Sequence, residues 1–467
     1  MSQYHPYAER FLVNRSLPAH GRDRAEIVAE LAQLAAEEDK SWEAGTVSGS
    51  YYCGDHDNYA FLGEVFAKFA HVNALQRDVC PSATRFEGEI IAMTLDLFHA
   101  DAVTDTEPAG IVTSGGTGSI LHGVLAHREW AASVRGVTRP NLVRPETAHP
   151  AFTKAAHLFG VEVRTAPIDP TTTLVDVDAM AGLIDDQTIM LIGSAGNYGY
   201  GTIDPIDRLS DLALARGVGL HVDGCLGGFI LPWGEQLGYD IPPFDFRHPG
   251  VTSISADTHK YGYGFKGSSV CAFRDKAMRN SLYFFQTDWS GGKYFSPGID
   301  GSRSNGLLAS TWAAMVSYGQ DGYREHAKAI FETAFAMQDA VRSHPELIMM
   351  GTPTFCFSFR SDEFDIYHVN DFMRTRGWRF NGQQYPNSIH MAVTGPQTQP
   401  GVVDRFRTDL ADAVPYAIEH RDQQPRSAAI YGGVPGGLTP DADEFIQSMM
   451  GTMLDQHQSI PKLADPV

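Results

Sequence analysis

The sequence is poor in cysteine and in positive charge. Five cysteines, Cys53, Cys80, Cys225, Cys271 and Cys356, are scattered through 467 residues with no CxxC pair. That excludes a disulfide framework and a cysteine zinc site, and points to a reducing cytoplasm. Lys and Arg number 36 against 56 Asp and Glu, a net charge of −20. Such an acidic balance argues against nucleic-acid or anionic-membrane binding and reads as solubility. No run approaches the ~18 apolar residues of a membrane helix, and the opening stretch lacks the apolar core of a signal peptide. There is no internal repeat and no low-complexity tract. P-loop, HExxH and GxSxG motifs are missing. The turn GNYGYG, Gly196 to Gly201, does not fit the GxGxxG dinucleotide fingerprint.

What is present is 43% hydrophobic and long enough for a large core in two or three domains. Residues 24–39 predict an amphipathic helix with Ile27, Leu31, Leu34 and Ala35 on one face. Trp42 to Gly54 reads as a loop, and residues 83–99 as a long helix. From residue 110 the texture alternates. GIVTSGG is a strand ending in a glycine turn, SILHGVLAHREWAA a helix, NLVRP a strand and AFTKAAHLFG a helix. TIMLIGSAG is a strand, IDRLSDLALARG a helix closed by Gly217, and VGLHVDGC, VTSISAD and SSVCAF are strands. Short apolar runs between amphipathic helices predict an α/β fold with a doubly wound, mostly parallel sheet. Ligands of such sheets lie at the carboxyl ends of the strands. After Gly319 a strong helix and the strand candidates TFCFSFRS, WRFNG and SIHMAVT predict a smaller α+β unit. The expected division is therefore an N-terminal segment, 1–55, of helix and loop, a large domain, 56–318, and a small C-terminal domain, 319–467.

Four features share one chemistry. In SADTHKYGYGFKG, Lys260 follows His259, and Gly262, Gly264 and Gly267 crowd behind it. A surface lysine needs no such setting, whereas a lysine that forms an imine with an aldehyde cofactor does. Asp223 ends the apolar strand VGLHVD and suits the protonated nitrogen of a pyridine cofactor such as pyridoxal phosphate. The turn TSGGTGS, between a strand and a helix, offers backbone N–H groups to a phosphate. His149, just before a helix, is placed either to stack on a cofactor ring or to cap the helix.

SADTHKYGYGFKGSSV, HVDGCLGGF, the TSGGT turn, DFRHPGVTSISAD, TDWSGGKYFSPGIDGSR and the late AIYGG together resemble the sphingosine-1-phosphate lyases. These are fold-type I pyridoxal phosphate enzymes near the group II amino-acid decarboxylases. The similarity runs from about Ser48 past Tyr431, and Lys266 with TDWSGG…GSR is its most specific part. The resemblance implies Lys260 as the Schiff-base lysine, with Asp223 at the pyridine nitrogen and His149 stacked on the ring. It implies His259 and the Ser114, Gly115, Gly116, Thr117 turn at the cofactor phosphate. Tyr52, Asn73, Tyr198, Lys266 and Tyr431 match positions around the substrate head group, with Lys260, Lys266, Tyr52 and Tyr198 as the catalytic set. Tyr294, Gly301 and Ser302 match a segment that reaches the partner subunit's site, on its substrate side for Tyr294 and its cofactor side for the other two. Arg303 lies in the same segment. The resemblance thus implies a homodimer with shared active sites. No metal is implied. Three residues depart from the family pattern. Gln76, at a substrate position, stands where histidine is usual, Gly118 replaces the glutamate of GGTES, and Tyr200 replaces a frequent histidine.

The implied reaction is retro-aldol cleavage of a phosphorylated sphingoid base to a long-chain aldehyde and phosphoethanolamine. A pyridoxal phosphate amino-acid decarboxylase shares Lys260, Asp223 and His149 and is the alternative. A catalytically weak cofactor-binding protein is the third reading, favoured by Gln76 and Gly118. Relatives with an N-terminal membrane anchor exist, and the expectation here is a soluble cytoplasmic enzyme.

Overall fold

The computed structural model describes residues 5–8, 10–434 and 437–461; the outermost residues of the expected flanking units lie outside the described residues. Five helices precede residue 160: α1 Arg24–Glu43, α2 His56–Phe69, α3 Pro81–Leu97, α4 Gly116–Arg135 and α5 Ala151–Phe159. The main sheet has seven strands: β1 Ala109–Thr113, β2 Asn141–Pro145, β3 Glu162–Ala166, β4 Thr188–Ser194, β5 Gly219–Asp223, β6 Val251–Ala256 and β7 Ser269–Phe273. Their spatial order is β1-β7-β6-β5-β4-β2-β3. The contiguous pairs from β3 to β6 are parallel, and β7 runs antiparallel to both its neighbours. The reason lies in the connection. Residues 257–268, which join β6 to β7, contain no crossover helix, and a chain without one can only return antiparallel.

The strands are apolar on both faces because both faces are covered. In β2, Leu142 packs with Ile120 and Val124 of α4 and Phe152 of α5. Its neighbour Val143 joins the opposite core, with Leu191, Leu220 and Ile254. The period of two thus sorts one strand's side chains into two layers. The predicted closure of the Ile206–Arg216 helix at Gly217 holds: that residue takes φ 62°, the left-handed region a C-terminal glycine supplies. β3 escaped the sequence reading because it is a polar edge strand, EVRTA, exposed along half its length. α2 also went unread; Asp55 caps it by accepting from the N–H groups of Asp57 and Asn58.

β8, Phe284–Gln286, and β9, Tyr294–Ser296, form a hairpin. Asn305–Arg342 follows as one long helix broken at Gly319, whose φ 54° and ψ −175° are not helical. We propose that break as the boundary between the large and small units. Beyond it lie β10, Ile348–Met349, β11, Cys356–Arg360, β12, Asn381–Gln383, and β13, Ser388–Ala392, in the order β10-β11-β13-β12. The strand expected at WRFNG starts only at Asn381, since Arg379 bridges instead to Val47. No helix among the described residues is long and apolar enough to cross a membrane.

The helix expected at residues 24–39 forms, but its apolar face is largely bare: Leu31 is 57% exposed and Ile27 37%, with only Leu34 half-buried. A second bare surface is the β8–β9 hairpin, where Phe285 is 66% and Phe295 70% exposed.

Candidate active site

The carboxyl ends of β1, β4, β5 and β6 converge. A cavity of about 330 Å³ there is lined by Tyr52, His149, Tyr198, Asp223, Lys260 and Lys266. Next to it, Ser114 to Gly118, His259 and Asp300 line a second hollow of about 500 Å³. These two spaces gather eleven of the residues singled out in the sequence: the six of the first cavity, and Ser114, Gly115, Gly116, Thr117 and His259 in the second.

Lys260 follows β6 on a tight loop. Gly262 is what permits that loop, because a Cβ there would lie 2.5 Å from the carbonyl oxygen of Thr258. The glycine-rich setting of the lysine is thus steric first. Lys260 Nζ lies 3.0 Å from Asp257 Oδ2, an anion that is 2% exposed. Burial pushes the Lys260 ammonium down, the Asp257 carboxylate outweighs it, and the net shift is upward. Asp257 was visible in the sequence as a strand-end residue without a role. Its Oδ1 is buried with no hydrogen-bond partner.

Asp223 is 8% exposed. Its Oδ1 accepts from the Cys225 N–H at 3.0 Å and from the Ser255 hydroxyl at 3.3 Å. The His149 Nδ1 accepts from the Ala151 N–H at 3.1 Å. Of the two sequence alternatives for His149 the capping bond forms, and the ring it holds borders the cavity. His259 donates from Nδ1 to the Ser268 carbonyl at 2.7 Å, and burial lowers its pKa. At the start of α4, Gly115 has φ 136°, and no side chain caps the helix. A Cβ on Gly116 would lie 2.6 Å from Asp257 Oδ2. The N–H groups of Gly116, Thr117 and Gly118 have no capping side chain, and these residues line the hollow with His259, the setting an anion needs.

Lys266 donates to the Ser50 carbonyl at 2.9 Å, and its ammonium sits 4.7 Å from the centre of the Tyr52 ring. Burial, then the charge of Lys260, lower its pKa to about 8. Burial raises the Tyr52 hydroxyl to about 12, so Tyr52 stays protonated and acts as a donor. Tyr198 stacks on His390, with ring centres 4.7 Å apart.

Sequence reasoning missed Arg379, Asn381 and His390, which enter the same cavity from the C-terminal unit. Nothing local marks them, since they reach the site only through the fold. The Arg379 guanidinium makes no hydrogen bond or ion pair among the described residues. Other expected residues gather elsewhere. Asn73 Nδ2 donates to Ser302 Oγ at 3.0 Å, and the Gln76 N–H bonds the Asn73 carbonyl at 3.2 Å. Gly301 lines a separate cavity of about 510 Å³ between α3 and the hairpin, and Tyr294 lies in β9. Tyr431 packs over Gly382, whose added Cβ would meet its Cβ at 2.4 Å. In the single chain Asn73, Gln76, Tyr294, Gly301, Ser302 and Tyr431 do not line the Lys260 cavity.

A lysine, a strand-end carboxylate and a histidine ring around one cavity, with a helix N-terminus at the adjoining hollow, fit a pyridoxal group, as do the unpartnered buried Asp257 Oδ1 and Thr147 Oγ1. Residues 6–360 match the pyridoxal-dependent decarboxylase conserved domain. The Drosophila melanogaster sphingosine-1-phosphate lyase is 39% identical over 85% of this chain and 72% of its own. The Arabidopsis thaliana sphingosine-1-phosphate lyase is 40% identical over 88% of this chain and 74% of its own. A solved structure, the Burkholderia pseudomallei sphingosine-1-phosphate lyase, aligns with TM-score 0.92 and 55% identity over 98% of this chain and 100% of that one. Lactobacillus brevis glutamate decarboxylase, 20% identical with TM-score 0.74 over 89% of this chain and 97% of that one, shares the fold. The chain belongs to the pyridoxal-dependent decarboxylase family, with the fold-type I architecture. Within that family its place is among the sphingosine-1-phosphate lyases, so its cofactor is pyridoxal 5'-phosphate and its chemistry is that of an aldehyde-lyase.

Proposed function

We propose that the chain cleaves sphingosine 1-phosphate between Cα and Cβ, releasing a long-chain aldehyde and phosphoethanolamine. The observation that carries the substrate side is the pair of cations, Lys266 and Arg379, facing one cavity with Lys260. A phosphorylated substrate calls for such charges, and a fixed phosphate orients the bond to be broken.

Pyridoxal 5'-phosphate, when bound, supplies the carbonyl that captures the substrate amine and the sink for the electrons of the breaking bond. Lys260 would hold the cofactor, with Asp223 as the partner for its ring nitrogen. His149 would pack on the ring, and His259 with residues 114–117 would receive its phosphate. Lys260, when not bonded to the cofactor and in its neutral amine form, would take the proton of the 3-hydroxyl. Tyr52, protonated and beside Lys266, donates to the developing oxygen charge, and Tyr198 borders the same space. Cleavage leaves the hydroxyl carbon as an aldehyde, and a proton returned to Cα gives phosphoethanolamine. Gln76 cannot shuttle a proton as histidine does, which leaves Lys260 and the tyrosines to carry the transfers.

We further propose a homodimer with shared sites, in a reducing cytoplasm that suits five free cysteines. It is supported by the bare face of α1, the bare hairpin, and the cluster of Asn73 with Ser302 away from the Lys260 cavity. Mixing Lys260→Ala with Tyr294→Ala subunits tests this, because random heterodimers contain one intact site and return about a quarter of the activity. Two inactive variants that stay inactive when mixed refute it.

The reaction is tested by incubating purified protein, loaded with pyridoxal phosphate, with sphingosine 1-phosphate and measuring long-chain aldehyde by mass spectrometry. Aldehyde that disappears in Lys260→Ala is the expected result. Carbon dioxide from an amino acid, with no aldehyde, would move the chain to the decarboxylases.

A further inference from the structure

His221 and Asp223 lie two residues apart in β5, so their side chains leave the sheet on one face. Ser253 and Ser255 of β6 stand opposite them in register. His221 Nδ1 is 2.7 Å from Ser253 Oγ, and Nε2 is 3.1 Å from Ser255 Oγ. Ser255 Oγ is also 3.3 Å from Asp223 Oδ1 and 3.2 Å from Cys225 Sγ. His221, Ser253 and Ser255 are each 0% exposed. Gly123 seals the group from above, since a Cβ there would lie 2.9 Å from the imidazole.

The proton positions follow from counting donors. Burial, then the neighbouring His127, lower the His221 pKa to about 3, so the ring is neutral and has a single N–H. The strongest acceptor within reach of Ser255 is the Asp223 carboxylate, which accepts the hydroxyl's hydrogen bond. Ser255 Oγ is then an acceptor for two donors, the Cys225 thiol and His221. His221 must therefore carry its proton on Nε2, and Nδ1 accepts from Ser253. Every hydrogen bond from Ser253 to Asp223 points the same way and ends on the carboxylate. Oδ1 is thus held by Ser255 and the Cys225 N–H, while Oδ2 makes no hydrogen bond among the described residues.

We infer that Ser255 and His221 are positioning residues for the cofactor, a relay that holds Asp223 by Oδ1 and leaves Oδ2 for the ring nitrogen. The inference rests on Asp223 being the ring-nitrogen partner. Charged and titratable groups around the relay are His127 from α4, Cys225 beyond β5, and Asp257 and Lys260 beyond β6. α5 and β4 contribute Phe152 and Ile192, which do not titrate.

The test uses the purified full chain, titrated with pyridoxal 5'-phosphate and followed through the pH dependence of the bound cofactor's absorption. Ser255→Ala removes one hydroxyl, and the expected result is cofactor affinity lower by about ten- to a hundredfold, the worth of a hydrogen bond to an ion. The pH at which the bound spectrum changes should move as well, while the KM for substrate stays put and kcat falls. Ser255→Thr keeps the hydroxyl and restores the wild-type spectrum, and His221→Asn gives an intermediate loss. Ser255→Ala with wild-type affinity and spectral pH profile overturns the relay. Asp223→Asn separates the two readings. If it leaves the spectrum unchanged, the assignment of Asp223 fails; if it alters the spectrum and Ser255→Ala does not, only the relay fails. Thermal melting without cofactor reports folding of each variant, and a loss of affinity that Ser255→Thr does not restore assigns Ser255 to packing and overturns the relay.

Discussion

The depressed pKa of Lys266 makes catalysis pH-dependent in a window where few other groups titrate. With a value of about 8, Lys266 is charged in roughly ten molecules for each neutral one at pH 7, and the ratio is reversed at pH 9. The substrate phosphate is dianionic across this window, its second pKa being about 6. If the charged ammonium binds that phosphate, kcat/KM falls about tenfold from pH 7 to pH 9, because this ratio reports the free enzyme. The fall levels off where the whole ion-assisted hydrogen bond is lost, at about 1.5–3 kcal/mol or ten- to a hundredfold. The assay is aldehyde release over pH 6.5–9.5, with cofactor absorbance recorded alongside to hold loading constant. Lys266→Arg carries a charge throughout and should remove the limb near pH 8. Lys266→Gln should show no limb and a kcat/KM at pH 7 already lower by about ten- to a hundredfold. A limb that persists near pH 8 in Lys266→Arg refutes the assignment.

Three further predictions rest on separate observations. Arg379→Ala should raise the KM for the phosphorylated substrate about tenfold, with kcat within about twofold, and weaken inhibition by phosphoethanolamine; an unchanged KM contradicts its role. Gly262→Ala should cost about 2 kcal/mol in denaturant unfolding, because its Cβ needs the space of the Thr258 carbonyl, and cofactor retention should fall with it. Glu87 is buried between Arg77 and Arg303 and accepts from the Val112 N–H at 3.0 Å. Burial pushes its carboxyl up, but Arg303 and Arg77 outweigh burial and hold it below its ordinary 4.5. The stability it contributes is therefore present above pH 4.5 and lost as pH falls through the lower folded value. Glu87→Gln should cost about 3 kcal/mol at pH 7, with the two melting curves converging at acid pH.

Sequence alone determined the class of chemistry. Lys260 with its glycines, Asp223 at a strand end and the TSGG turn are local signals, because strand, turn and helix start are set by neighbouring residues. The main strands were legible for the same reason: burial on both faces leaves an unbroken apolar run such as TIMLIGS. The polar edge strand EVRTA lacks that signature, and the antiparallel sense of β7 depends on what residues 257–268 do not contain. What only the tertiary structure decided is which distant groups meet. Arg379 reaches the Lys260 cavity through its bridge to Val47, and His390 because the small sheet packs on the turn after β4, at the Gly199 carbonyl. Asp257 was in plain view, yet its hold on Lys260 appears only once the loop folds over Gly262. Exposure is likewise a property of the whole: α1 shows an apolar face in its periodicity, and only the folded chain shows that, among the described residues, Leu31 of that face stays exposed. Periodicity records what a segment can bury, whereas the partner it buries against is fixed by contacts far apart in the chain.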